Sequence, residues 1–403
     1  MKIVALETLR HDDFPNLLFV LVHTDDGVVG LGETFFGARA VEAYVHETVA
    51  PMLLGTDPLA RDKHSRNLYG YLGFASSGAE TRGNSAVDIA LWDIFGKVTE
   101  QPLYELLGGR TRDSIRIYNT CAGYQYTRRE PRQAVANWGL PQEQAPGPYE
   151  DLDAFLHRAG ELAVDLLGQG ITAMKIWPFD PYAEATGGTY ISEADLAHAL
   201  EPFRLIREAV GNQMDIMVEF HSLWNLPTAK RIARALEPYE PFWFEDPIKS
   251  DNVDALADYA RSTPVPVTLS ETLAGRTAFR SLMASGAPGV VMLDLGWCGG
   301  VSEAKKIATM AEAHQLPVAP HDCTGPVVWT ASTHLSVNAP NALIQETVRA
   351  YYTSWYGDLV TELPVIEDGQ IRPPEGPGLG TELRPGLRDS DRVTTRTSTW
   401  ERS

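Results

Sequence analysis

The chain is poor in cysteine. Cys121, Cys298 and Cys323 are the only three in 403 residues, and their spacing matches neither a metal-ligand set nor a disulfide framework. That excludes a disulfide-stapled secreted scaffold and fits reduced thiols, so a cytoplasmic location is expected. Positive charge is also short: 34 Lys and Arg stand against 53 Asp and Glu, a formal net charge of −19. A surface of that sign repels nucleic acid and anionic membranes over a Debye length, so neither is expected as a partner. It also attracts an anionic substrate poorly, so an anion needs a local positive centre such as a metal ion. Long hydrophobic runs are missing. Nothing reaches the roughly 18 apolar residues of a membrane span. The opening MKIVALETLRHDDF has no uninterrupted apolar stretch of the signal-peptide kind.

What the chain does have is a series of short apolar runs, each closed by an acid or a histidine. Glu219 closes IMVE, Glu245 closes FWFE, Glu271 closes VTLSE, Asp294 closes VVMLD, His321 closes PVAPH and Glu346 closes ALIQE. Subtraction spaces them 26, 26, 23, 27 and 25 residues apart, about one strand, one loop and one helix each. Units of that pitch describe consecutive strands of a parallel (β/α)8, TIM-like barrel, where all the strand ends converge on one mouth.

The 403 residues allow such a barrel plus a second domain. Residues 2–10, 17–24 and 28–34 read as strands, the last two joined by the hairpin signal Asp26-Gly27. A helical stretch over 38–54 follows, then helices marked by Val87, Leu91, Ile94 and Phe95 and ended by Gly108-Gly109. Sheet followed by helices makes 1–112 an α+β cap domain. The barrel occupies 113–352, opening with strands at 115–121 and 171–177 and helices at 151–168 and 193–210. The long connection over 122–149 leaves a strand's C-terminal end, so it is expected to overhang the mouth. Residues 353–403 are expected to return to the cap through a hairpin and a Pro/Gly-rich turn segment. From Arg388 the polar tail is expected to be disordered or exchanged onto a neighbouring copy.

Three carboxylates on adjacent strands, Glu219, Glu245 and Glu271, offer hard oxygen ligands without sulfur or imidazole, a set that selects Mg2+ or Mn2+. Asp294 and His321 follow on the next two strands, and a carboxylate that fixes an imidazole's tautomer makes the histidine a general base. His221, two residues after Glu219, shares its face of the strand and is placed to protonate a leaving hydroxyl. Lys175 supplies a positive charge for a substrate oxygen or pairs with a ligand carboxylate, and Glu346 either holds a substrate carboxylate oxygen or forms a salt bridge. Together these parts suit removal of a proton α to a carboxylate, with the enediolate stabilised by a divalent cation.

At SAVDIALWDIFGK, PLYELLGG, VEFH, FEDP, LSET, LDLGWCGG, APHDCTGP, QE and PGLG the chain resembles the mandelate racemase subgroup of the enolase superfamily. Glu219-Phe220-His221 is similar to the Asp-x-His arrangement of galactonate dehydratase-type enzymes, with Glu in place of Asp. The resemblance implies Glu219, Glu245 and Glu271 as Mg2+ ligands, His321 with Asp294 as the base, His221 as the general acid and Glu346 at the substrate carboxylate. Racemising members carry Lys-x-Lys on the second strand; here Lys175-Ile176-Trp177 replaces the second base with an indole that accepts no proton. The implied activity is a hydro-lyase acting on a small polyhydroxy sugar acid. A cycloisomerase or epimerase of a sugar-acid lactone or anhydro-sugar acid, and a catalytically silent metal-binding homologue, remain the alternatives. A homo-oligomer is implied by the same resemblance. Phe35, Phe36 and the Tyr69–Phe74 stretch are expected either to stack on the substrate or to pack the domain interface.

Overall fold

The structure, a computed structural model, describes residues 1–69, 78–140 and 147–401. Strands β1 (Ile3–His11), β2 (Phe14–Thr24) and β3 (Val29–Phe35) form an antiparallel meander. Gly27 takes φ +84° at the β2–β3 turn, the left-handed region that a tight hairpin needs. Helix Ala79–Thr99 lies across the sheet and buries Ala86, Val87, Ala90, Leu91 and Ile94 against Leu18, Val20 and Val22. Val87, Leu91 and Ile94 each contribute roughly 1.5–3 kcal/mol by that burial. Gly32 makes the approach possible, because a Cβ there would collide with the Ala86 carbonyl.

The barrel strands are β4 (Ile115–Thr120), β5 (Ala173–Ile176), β6 (Asp215–Glu219), β7 (Trp243–Glu245), β8 (Val267–Leu269), β9 (Val290–Leu293), β10 (Val318–Pro320) and β11 (Gln345–Thr347). They pair in parallel in that order, β11 returns to β4, and a parallel bridge from Val318 to Ala342 completes the ring. Tyr118, Ala173, Met217, Trp243, Met292, Ala319 and Ile344 form the barrel's own interior cluster. Side chains alternate with period two along a strand. Two residues above these positions stand Thr120, Lys175, Glu219, Glu245, Asp294, His321 and Glu346. The apolar layer therefore sets which residues face the mouth.

Several expectations are corrected. The helix expected over 151–168 is two, Asp151–His157 and Ala159–Gly168, broken at Arg158 with φ −151°. Tertiary contacts outweigh local propensity there: Asp151 is tied to Asn119 and Arg349, and Gly160 packs onto the Leu205 backbone of helix Glu193–Val210. The connection after β5 carries a short helix, Asp180–Thr186, closed by Gly187 at φ +62°. The hairpin β12 (Val365–Glu367) and β13 (Gln370–Arg372) joins the start of β4, while Leu379 N donates to Asp93 of the cap helix. The tail is ordered as far as Glu401. β14 (Val393–Thr399) pairs antiparallel with β1 of its own chain, from His11–Val393 to Ala5–Thr399, as the fourth strand of the cap sheet. None of its residues is buried, and an edge strand exposed along its length reads as polar, which is why composition misled. All three cysteines are free, and among the described residues no helix is long and apolar enough to cross a membrane.

Candidate active site

The mouth of the barrel opens into a cavity of about 230 Å³ lined by Lys175, Trp177, Glu219, His221, Asp246, Glu271, Trp297 and His321, with Phe36 and Arg82 from the cap. Tyr126 and Gln133 reach it from the 122–149 connection. Glu219 and Glu245 are register partners at the ends of β6 and β7, and Glu271 follows two residues beyond β8. One oxygen from each of the three lies within 4.8 Å of the others. Glu219 and Glu245 are buried, and Glu271 is half-buried. Burial and the Glu219 charge push the Glu245 carboxyl well above the usual range, and burial raises Glu271 as well. Glu219 Oε2 is buried without a hydrogen-bond donor. Three crowded hard oxygens with a spare lone pair fit a divalent cation of the Mg2+ type.

Lys175 Nζ lies 2.5 Å from Glu245 Oε1, 3.0 Å from Glu346 Oε1 and 3.5 Å from Glu219 Oε2. Burial alone would favour its neutral form, but Glu245 and Glu346 reverse that and hold it charged well above its ordinary value. Glu346 is committed internally: Thr120 donates its hydroxyl to Oε1, and Asp322 N donates to Oε2 at 2.6 Å. Against the cost of burial, Lys175 and His321 hold its carboxyl at about 2. It is held ionised, with both oxygens already accepting hydrogen bonds.

His321 Nδ1 is 2.8 Å from Asp294 Oδ2, and its Nε2 is 3.0 Å from Glu271 Oε2. Gly296 N donates to the other Asp294 oxygen at 2.7 Å, which orients the carboxylate. Trp297 covers the imidazole at 5.1 Å, and Arg82 lies over the Trp297 ring at 4.7 Å. Burial pulls the His321 value down, but Glu271, Glu346 and Asp294 carry it well above normal. His221 has a second orienting acid, which the sequence reading missed. Its Nδ1 lies 2.8 Å from Asp180 Oδ2. Its own backbone, at φ +49°, turns its N–H onto Glu219 Oε1 at 2.6 Å. Burial opposes the charge, yet Asp180 and Glu219 raise this imidazole to about 9.

All eight candidate residues thus gather at one mouth. The residues missed are Asp180, Asp246, Tyr126, Gln133 and Arg82. Asp246 was signalled by its place directly after Glu245; burial and Glu271 push it well above the carboxylate range. Asp180 had only the acid in PFDPY as a signal. Of the cap aromatics, Phe36 lines the cavity and stacks on Trp297 at 5.8 Å, whereas Phe35 is buried behind it. Tyr69 stands against Gly275, and 70–74 lie outside the described residues.

The family described as mandelate racemase / muconate lactonizing enzyme, N-terminal domain, matches residues 4–108, and the enolase C-terminal domain-like family matches residues 158–387. The chain belongs to the mandelate racemase / muconate lactonizing enzyme family of the enolase superfamily, and its fold is that superfamily's cap domain with a (β/α)8 barrel. A crystal structure of an enolase of the mandelate racemase subgroup from Agrobacterium tumefaciens is 57% identical, covers 99% of each chain and superposes with a TM-score of 0.88. D-galactonate dehydratase of Ralstonia nicotianae is 33% identical over 96% of this chain and 93% of its own length. D-xylonate dehydratase of Haloferax volcanii is 30% identical over 95% of this chain and 87% of its own. With dehydratases as relatives along nearly its whole length, the chain is an enzyme of the lyase class.

Proposed function

We propose that this protein is a Mg2+-dependent dehydratase that converts an aldonate-like sugar acid into its 2-keto-3-deoxy product. One observation carries the reading: two imidazoles, each oriented through Nδ1 by its own aspartate, face one cavity beside three clustered carboxylates. Relatives that act on D-galactonate and D-xylonate support the substrate class. When held by Glu219, Glu245 and Glu271, a divalent cation supplies the positive charge that acidifies a proton α to a carboxylate.

The chain's own groups do the rest. Asp294 keeps the His321 proton on Nδ1, so Nε2 is the atom that takes the α-proton. Glu271 is the foremost charge raising His321, so engaging Glu271 as a ligand lowers the imidazole towards its basic form. His221, held at about 9, carries its proton at neutral pH and delivers it from Nε2 to the departing β-hydroxyl. Lys175, fixed by Glu346, offsets the charge that develops on the substrate carboxylate. Trp177, where a second base would stand, leaves the opposite face of the α-carbon without a proton acceptor, which favours elimination over racemisation.

The test is a panel of sugar acids, D-galactonate and D-xylonate included, incubated with Mg2+ and assayed for 2-keto acid. In D2O, deuterium is expected to enter the α-position, and His321→Asn should abolish that. Turnover to a product without a keto group, or unaltered exchange in His321→Asn, overturns the assignment.

A further inference from the structure

The connection after β4 is longer than a barrel needs, and it places two polar side chains in the cavity. Tyr126 is 4% exposed and packs on the Trp177 ring at 5.1 Å. Its hydroxyl lies 3.4 Å from His221 Nε2, the nitrogen left over once Asp180 has taken Nδ1. Gln133 Nε2 donates to the same phenol oxygen at 2.8 Å and lies 3.2 Å from Asp180 Oδ2. An oxygen that accepts from Gln133 has its own hydrogen directed elsewhere. That leaves His221 Nε2 as the target or, when that nitrogen carries a proton, the cavity beside it. Burial pushes the phenol well above its ordinary value, so the group is a donor at any working pH.

We propose that Tyr126 is a second hydrogen-bond donor to the departing hydroxyl, sharing that oxygen with His221, and that Gln133 positions it. The inference rests on the dehydratase reading. In that reaction the α-proton passes to His321 Nε2, and its electron pair rests on the carboxylate as an enediolate. The pair then forms the C2–C3 double bond as the C3–O bond breaks. The oxygen leaves with its bonding pair and the His221 proton, as water. The enol that remains moves its hydroxyl proton to solvent and takes one at C3, giving the 2-keto-3-deoxy acid. Tyr126 keeps its proton throughout. It meets negative charge that grows only while C3–O breaks, so it assists loss of hydroxide and not removal of the α-proton.

The experiment compares the full-length enzyme and Tyr126→Phe in Mg2+, using the acid turned over fastest in the panel and its 3-deoxy-3-fluoro analogue. Fluoride leaves with far less need of a proton. Removing one such donor is expected to slow water loss about 100-fold, while fluoride release and α-deuterium exchange stay within about threefold of the parent. Gln133→Leu, which keeps the phenol, should repeat the pattern with a loss of about tenfold. Equal falls in all three readouts would make Tyr126 a packing residue and overturn the proposal, as would undiminished water loss. A parent enzyme that exchanges the α-proton yet eliminates from no acid tested would sink the dehydratase reading and this role with it. Elimination by the parent that Tyr126→Phe matches would sink this role alone.

Discussion

Replacing Lys175 with methionine removes the ammonium placed among Glu245, Glu346 and Glu219, at 2.5, 3.0 and 3.5 Å. The side chain is 3% exposed, so neither water nor salt replaces the charge. Taking one partner from a buried ion pair typically costs about 3–5 kcal/mol, because the remaining charge is uncompensated. Glu346 points the same way. Its value falls from 4.5 to about 2 against burial, with Lys175 as the foremost attraction and His321, Thr120 and Asp322 N adding to it, so removing Lys175 takes away the largest single part of that stabilisation. Since this folded value is depressed, the stabilisation is present above 4.5 and is lost as pH falls through about 2. Lys175→Met should therefore melt on the order of 4–6 °C lower than the parent at pH 7 in EDTA. That gap should close in strongly acid buffer. In millimolar Mg2+ the gap should also narrow, since a divalent cation among the same carboxylates takes over part of the lost charge. Thermal unfolding in EDTA and in Mg2+ at several pH values checks this. A loss under about 1 kcal/mol, or an identical gap with and without Mg2+, would refute the reasoning.

Glu271→Gln removes one anionic ligand from the trio, and calorimetric titration should show Mg2+ affinity weakened by at least about tenfold; unchanged affinity would place the ion elsewhere. Glu33, wholly buried in β3, accepts Val327 N and Val328 N at 3.2 and 3.1 Å, and burial nonetheless raises it to about 8. With the folded value above the ordinary 4.5, the folded chain binds the extra proton between those two values. Stability then falls as pH rises from about 4.5 to about 8, by on the order of a few kcal/mol, and levels off above. The melting temperature of Glu33→Gln should lack that slope, and parallel pH curves for parent and variant would contradict it.

The barrel was readable because its strands obey two simple periods. One strand, loop and helix recur every 23 to 27 residues, and alternate residues within each strand face inward. Glu219, Glu245, Asp294, His321 and Glu346 each stand two positions above an inward apolar residue, so they could be picked out without coordinates. His221 and Lys175 followed from the same rule. Asp180 did not, because its helix is placed by packing: Phe179 stacks on Phe220 at 5.9 Å and on Phe203 at 6.1 Å. Tyr126 lies 95 residues from His221 in a segment without periodicity. No spacing rule predicts that meeting.

What the sequence determined by itself is the set of groups at the mouth: three acids on successive strands, an imidazole beside an aspartate, a second imidazole, and an indole at Trp177. Those are properties of residue type and of strand alternation, which are local. Tertiary structure decided the partners. It turned Lys175 and Glu346 towards each other, gave His221 its own aspartate, carried Phe36 and Arg82 of the cap to the cavity that His321 lines, and made the polar tail a strand beside β1. These depend on which surfaces pack together across the barrel and the cap. Packing is a property of the whole chain, and it sets ångström distances that no local pattern contains.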